Sequence, residues 1–92
     1  MTTNEVSTAA QMRECLTALL PDSIEIGDDS ALHAGHAGAA SGGGHYSLRI
    51  VSARFAGQSR VARHRLVYET LGSLMEHRIH ALALHALAPG EV

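Results

Sequence analysis

The stretch HYSLRIVSARFAGQSRVARHRLVYETL, residues 45–71, decides the fold, because two different periodicities follow each other within it. Its first part, residues 45–52, alternates apolar and polar side chains, so that Tyr46, Leu48 and Ile50 face one way. Such alternation is typical of a half-buried strand. A turn follows at residues 55–58. The stretch therefore predicts a strand that leads through a short turn into a helix.

The helix predicted after this turn begins at Ser59, a favourable N-cap residue. We expect its apolar face to consist of Val61, His64, Tyr68, Leu71 and Met75, with Val67 and Leu74 beside them. Gly72 lies within this pattern, and glycine weakens a helix interior by about 1 kcal/mol relative to alanine. The pattern therefore predicts a helix that bends or ends near Gly72.

Another helix is predicted towards the N-terminus, where residues 8–20 carry apolar side chains at helical spacing. Thr8 and Gln11 fit a capping box, and Pro21 ends the helical run. The alternating residues 23–28 then predict a short strand.

Two further segments complete the predicted architecture. The glycine-rich residues 32–44 predict a long loop that joins the first two strands as an antiparallel pair. Residues 79–87 alternate again and predict a third strand, with His80, Leu82 and Leu84 on one face. The order helix, strand, strand, helix, strand predicts an α+β domain whose helices pack on one face of a three-stranded sheet. The same order occurs in one class of KH-like domains.

The length of 92 residues suits a single domain. We place it at residues 8–88, after a flexible leader at residues 1–7 and before a C-terminal tail at residues 89–92. One cysteine cannot form an internal disulfide, which fits a reducing cytoplasm. The longest nearly apolar stretch, residues 79–88, is far shorter than the roughly 20 residues of a membrane helix. Because the sequence has no P-loop, dinucleotide fingerprint or HExxH motif, we expect a non-enzymatic cytoplasmic protein without membrane contact.

Histidine and arginine carry most of the chemistry that this composition offers. The formal net charge is −2, which does not indicate a nucleic-acid binder, but the seven histidines are many for so short a chain. Four of the seven arginines fall within residues 54–65. We expect the following residues to form a surface for phosphates or an acidic partner: Arg54, Arg60, Arg63, His64 and Arg65. His64 also lies on the expected apolar face, where a packing role is its ordinary one.

The quoted stretch, together with IHALAL after it and DDSALHAGH before it, resembles the BolA family. The resemblance covers about residues 24–84 and implies a BolA-like fold with the element order given above. It also implies a partner, because BolA-like proteins associate with monothiol glutaredoxins of the CGFS type in iron–sulfur cluster assembly and iron regulation. Some bacterial members are described as transcriptional regulators linked to stress and morphology.

The resemblance also implies ligands for a cluster. His33 occupies the family's ligand position in the loop, with His36 as the alternative, and His80 occupies the position that opens the last strand. Imidazole can replace thiolate on one iron of a [2Fe–2S] centre. A glutaredoxin cysteine and glutathione would supply the remaining ligands, so the isolated chain is expected to hold no cofactor. No role follows for His45, His77 or His85.

A second function stays open at this point, namely DNA binding through the arginines of residues 54–65 in a transcriptional regulator. With one Phe, two Tyr and no Trp, recognition of single strands by stacking is poorly supported. The sequence does not decide the oligomeric state.

Overall fold

A computed structural model describes residues 7–29 and 44–92 of the chain. These ranges contain three helices and three strands: α1 (Thr8–Leu16), β1 (Ser23–Asp28), β2 (Gly44–Val51), α2 (Arg60–Leu71), α3 (Leu74–His77) and β3 (Ile79–Leu87). Short 3-10 turns connect or follow them at Thr17–Leu19, Ala53–Phe55 and Pro89–Glu91. His33 and His36, with most of the predicted leader and loop, lie outside the described residues.

The first helix begins where predicted but ends earlier, at Leu16, with the 3-10 turn Thr17–Leu19 after it, and its cap also differs. The Ser7 Oγ accepts a hydrogen bond from the Ala10 N–H at 3.1 Å, whereas Thr8 already lies inside the helix. The predicted capping box starting at Thr8 is therefore wrong by one residue. Beyond the 3-10 turn, Leu20 leaves the right-handed region with φ 51° and ψ 54°, directly before Pro21, as the proline predicts.

The second helix ends at Gly72, as the sequence predicts. Gly72 has φ 57° and ψ −129°, a backbone conformation that glycine adopts far more readily than other residues. The chain then forms the four-residue helix α3, which the sequence does not predict as a separate element. Within the described ranges, no helix is long and apolar enough to cross a membrane.

The sheet has the order β1–β2–β3, so β2 is its central strand. β1 pairs antiparallel with β2, from Ser23 opposite Val51 to Asp28 opposite Tyr46, which confirms the predicted pair. β3 pairs parallel with β2 on its other side. The α2–α3 segment is the crossover that parallel neighbours require.

The core lies between the helices and one face of this sheet, which confirms the predicted α+β layer arrangement. The apolar side chains with at most 1% exposure come from α1, β2, α2 and the Ala53–Phe55 turn: Met12, Leu16, Leu48, Ile50, Phe55, Val67 and Leu71. Alternate residues of β2 point away from the helices, so the opposite face of the sheet carries polar and small side chains.

The predicted apolar face of α2 is partly wrong. Val67 and Leu71 are buried, but Val61 and Tyr68 are 65% and 40% exposed. The helix is turned so that Arg63, Val67 and Leu71, each four residues apart, lie on its inner side. A charged residue interrupts this stripe, which is why the alternative stripe through Val61 and Tyr68 looked more apolar in the sequence.

Residues 89–92, predicted as a tail, are not detached from the domain. The Pro89–Glu91 turn follows β3 directly and carries the Glu91 carboxylate to the guanidinium of Arg63. This contact fixes the end of the described chain against α2.

Candidate functional site

His80 lies where the pairing of β2 and β3 is irregular. Gly44 is opposite Ile79, but His45 is opposite Ala81, so β3 contains one extra residue at His80. A bulge of this kind re-aims side chains at the end of a strand. Ile79 is accordingly buried, and His80 is exposed.

The bulge makes the predicted orientation of His80 wrong. Simple alternation places His80 on the face of Leu82 and Leu84. In the structure Leu82 and Leu84 pack against the core, whereas His80 stands exposed beside Ala81. One inserted residue reverses the face of every position before it, and a period-two pattern cannot reveal such an insertion.

His45 is the side chain that sequence reasoning missed. Its ring centroid lies 5.2 Å from that of His80, and the two ring planes are inclined by 40°. His45 is on the face of β2 opposite to the buried Tyr46. Each histidine stands near the start of its strand, and parallel neighbours bring their starts together. The positions of the two histidines near the starts of β2 and β3 could therefore have indicated this pair, but only if β3 is known to run parallel to β2.

The donors near His80 do not form a complete metal site within the described residues. Among residues 7–29 and 44–92, no three His, Cys, Asp or Glu side chains converge to hold a metal ion. His45 and His80 offer imidazole nitrogen, a good donor for iron. Cys15, the only cysteine, is half-buried on α1 and packs against the core.

The predicted arginine surface falls into two parts. Arg54, Arg60 and Arg65 are exposed, and within the described residues their guanidinium groups have no hydrogen bond or ion pair. Arg63 differs, because its side chain is only 13% exposed and forms a two-pronged ion pair with Glu91. The Nη1–Oε1 and Nη2–Oε2 distances are 2.6 and 2.8 Å.

Backbone groups hold both members of this ion pair. The Arg63 Nε donates to the Gln58 carbonyl at 2.9 Å, and Nη1 donates to the Ala86 carbonyl at 3.0 Å. Glu91 also accepts from the Ala88 N–H at 3.0 Å. The hydrogen bonds from Arg63 and then Ala88 lower the pKa of Glu91 from 4.5 to about 2. Glu91 is therefore ionised at neutral pH.

His64 is half-buried on α2, and its ring meets that of Tyr68 edge-on with centroids 6.2 Å apart. This contact accounts for a packing role. Its role at a partner surface stays a prediction.

Comparison with known proteins gives one consistent result. A family model described as BolA-like protein matches residues 16–91. The chain is 41% identical over 81 residues to an uncharacterized Sinorhizobium protein, covering 86% of this chain and 87% of that one. It is 40% identical over 68 residues to the Escherichia coli DNA-binding transcriptional regulator BolA, covering 74% of this chain but 62% of that one.

Comparison with solved structures identifies the same family of proteins. The BolA domain of SufE1 from Arabidopsis thaliana superimposes with a TM-score of 0.81 at 40% identity, covering 97% of this chain and all of that domain. The curated SufE-like protein 1 of the same plant is longer, and this chain spans only 25% of it.

Proposed function

The chain belongs to the BolA family, and from that premise we propose that it is a non-enzymatic cytoplasmic adaptor for a monothiol glutaredoxin of the CGFS type. Its cargo is a [2Fe–2S] cluster, which it helps to ligate or transfer in iron–sulfur cluster assembly or iron regulation. The observation that carries the proposal is the exposed His80, turned outward by the bulge and accompanied by His45 at 5.2 Å.

Each histidine has a distinct role in this proposal. His80 is the ligand on the described sheet, and the loop that joins β1 and β2 supplies the other through His33, or His36 in its place. His45 lies beside His80 and positions its ring. Residues that orient a ligand typically contribute 10–100-fold to metal affinity. The glutaredoxin cysteine and glutathione supply thiolates, which this chain does not present beside His80.

The test is to add the protein to a cluster-loaded monothiol glutaredoxin with glutathione and to record visible circular dichroism. Electron paramagnetic resonance of the reduced cluster, with detection of nitrogen hyperfine coupling, reports histidine ligation directly. We expect His80→Ala to remove the nitrogen coupling that comes from His80, leaving at most that of the loop histidine, and to abolish or alter the dichroism change. His45→Ala should keep the coupling but require about tenfold more protein for the same change.

His85→Ala is the matched control, because His85 is another exposed histidine on β3 and should leave both signals unchanged. His33→Ala and His36→Ala identify the loop ligand. If His80→Ala gives the wild-type spectra, His80 is not a ligand. Loss of one of two nitrogen couplings in His45→Ala, with His33→Ala and His36→Ala unaffected, would make His45 the second ligand beside His80.

A second candidate function is DNA binding in a transcriptional regulator linked to stress and morphology. The exposed guanidinium groups of Arg54, Arg60 and Arg65 support it, and several relatives bear the name DNA-binding transcriptional regulator. Affinity for a duplex should then fall with salt by a log–log slope of roughly −0.9 per phosphate contact. A slope that does not change in the Arg60→Ala/Arg65→Ala variant would exclude these two residues from such an interface.

A further inference from the structure

A cleft of about 410 Å³ opens where the start of α2 meets the end of β3 and the Pro89–Glu91 turn. Arg60, Arg63 and His64 line it together with the strand segment 84–87, and Glu91 is its acidic residue. His80 and His45 do not line it, so the cleft is separate from the histidine pair.

Arg63 forms a rigid receptor inside this cleft. Two backbone carbonyls, of Gln58 and Ala86, fix the guanidinium from one side at 2.9 and 3.0 Å. The remaining N–H groups of Nη1 and Nη2 are directed together at one carboxylate. A planar guanidinium held in this way suits two-pronged recognition of a carboxylate or phosphate.

Glu91 fills this receptor from the outside. Its side chain is 43% exposed, compared with 13% for Arg63, so the carboxylate lies between the guanidinium and solvent. Within the described residues, the only other hydrogen-bond donor to this carboxylate is the N–H of Ala88, the residue before the three-residue turn. Release of Glu91 therefore requires movement of a short surface turn and leaves the α2–β3 packing in place.

The cleft carries an excess of positive charge. Glu91 offsets Arg63, but Arg60 is exposed and, among the described residues, has no ion-pair partner. His64 also lines the same cleft. A ligand with a second negative group would therefore meet the Arg60 cation and the His64 imidazole next to the guanidinium of Arg63.

We propose that this cleft is a binding site for a small oxyanion, a phosphate or a carboxylate, in which Glu91 is the internal anion that occupies the receptor when no ligand is bound. An incoming anion binds the guanidinium of Arg63 in place of the Glu91 carboxylate. Arg60 lines the same cleft and binds the second negative charge of the ligand. The Pro89–Glu91 turn thereby acts as a strap that limits access to Arg63.

The test is a titration of the ¹⁵N-labelled protein with inorganic phosphate, and separately with succinate, at constant ionic strength near neutral pH. Shifts of the Arg63 Nε–H and of the amides around Arg60 and His85 report binding. We expect Glu91→Gln and Glu91→Ala to bind about tenfold or more tightly than wild type, because the competing carboxylate is gone. The anion that binds with the higher affinity, phosphate or succinate, identifies the class of ligand.

Two arginine variants in the Glu91→Gln background separate the cleft from general basic charge. Arg60→Ala should weaken binding several-fold, whereas Arg54→Ala removes the same charge outside the cleft and should leave the affinity unchanged. The backbone spectrum of each variant shows that the fold is retained.

The proposal fails if Glu91→Gln and Glu91→Ala bind both anions no more tightly than wild type, in which case the ion pair is structural only. Equal losses in Arg54→Ala and Arg60→Ala would also overturn it, since binding would then reflect diffuse charge. Neither outcome affects the proposal about His80, which does not involve this cleft.

Discussion

Ser52 shows how much a single hydroxyl contributes to this fold. It has no exposed surface, and its Oγ donates to the Leu19 carbonyl at 2.6 Å while accepting from the Arg54 N–H at 3.1 Å. One side chain thus ties the end of the first helical segment to the residue that follows β2. A buried polar group left without its partner costs about 1–3 kcal/mol.

We therefore expect Ser52→Ala to lower the free energy of unfolding by about 1–3 kcal/mol, measured by urea denaturation. Ser73→Ala is the control, because Ser73 is exposed and its side chain makes no capping hydrogen bond. It should change stability by less than about 0.5 kcal/mol. Equal stability of both variants would show that the Ser52 hydroxyl is not needed.

Individual residues also show where sequence reasoning stops. His80 was identified as a candidate, but its orientation depends on a bulge that leaves no trace in composition or periodicity. His45 became a candidate only through its neighbour on another strand. Arg63 is charged and interrupts the inner stripe of α2, and only its pairing with Glu91 explains why it can lie there.

At the scale of elements, the break between α2 and α3 depends on Gly72. Its φ of 57° with ψ of −129° lies in a region that residues with a Cβ rarely occupy. The space around it is open, since an added Cβ would meet only the Glu69 carbonyl oxygen at 3.9 Å. The cost of a substitution therefore comes from the backbone and not from a clash.

We expect Gly72→Ala to lower the free energy of unfolding by about 1–3 kcal/mol, measured by thermal and urea denaturation. Gly90→Ala provides the comparison, because an added Cβ there meets nothing within 4 Å and no positive φ is involved. It should be neutral or slightly stabilising. A loss in Gly90→Ala as large as that in Gly72→Ala would argue against backbone strain as the cause.

Most elements could be predicted because each has a local signal. Alternation marks the strands, Ser59 caps α2 through a 3.1 Å bond from the Ala62 N–H, and Pro21 ends the first helical segment. The first cap was misplaced because Ser7 and Thr8 are both good capping residues, and only the backbone geometry decides between neighbours. The inner face of α2 was misjudged because it depends on an ion pair with a residue 28 positions away.

At the scale of the whole molecule, the Arg63–Glu91 pair joins the last turn to the second helix and makes stability depend on pH. The pKa of Glu91 is about 2 in the folded protein, below its ordinary 4.5. A carboxylate with a lowered pKa stabilises the fold above its unfolded pKa. That contribution is lost as pH falls from about 4.5 towards 2.

Glu91→Gln removes this titration, so its effect should itself depend on pH. We expect the variant to be less stable than wild type at pH 6–7 and the difference to shrink between about pH 4.5 and 2. Urea denaturation across this range measures it. A difference that stays constant with pH would mean that the loss comes from packing of the turn and not from the charge.

The overall architecture was predictable from the order of elements, because few arrangements bury the apolar faces of two helices and three strands. The sequence identified His80 but not its neighbour His45, because the two histidines meet only after the crossover has set the direction of β3. Local patterns therefore predict the scaffold, whereas the proposed chemistry depends on contacts between residues distant in the chain.

The central position of β2 has a consequence for how the sheet opens and closes. β1 reaches β2 through a comparatively short connection, whereas β3 pairs with it only across the longer segment that contains α2 and α3. Longer closures cost more chain entropy, and β3 is also an edge strand. The strand that carries His80 is thus expected to join the sheet after β1 during folding, so a partner that docks there would bind the strand whose pairing closes last.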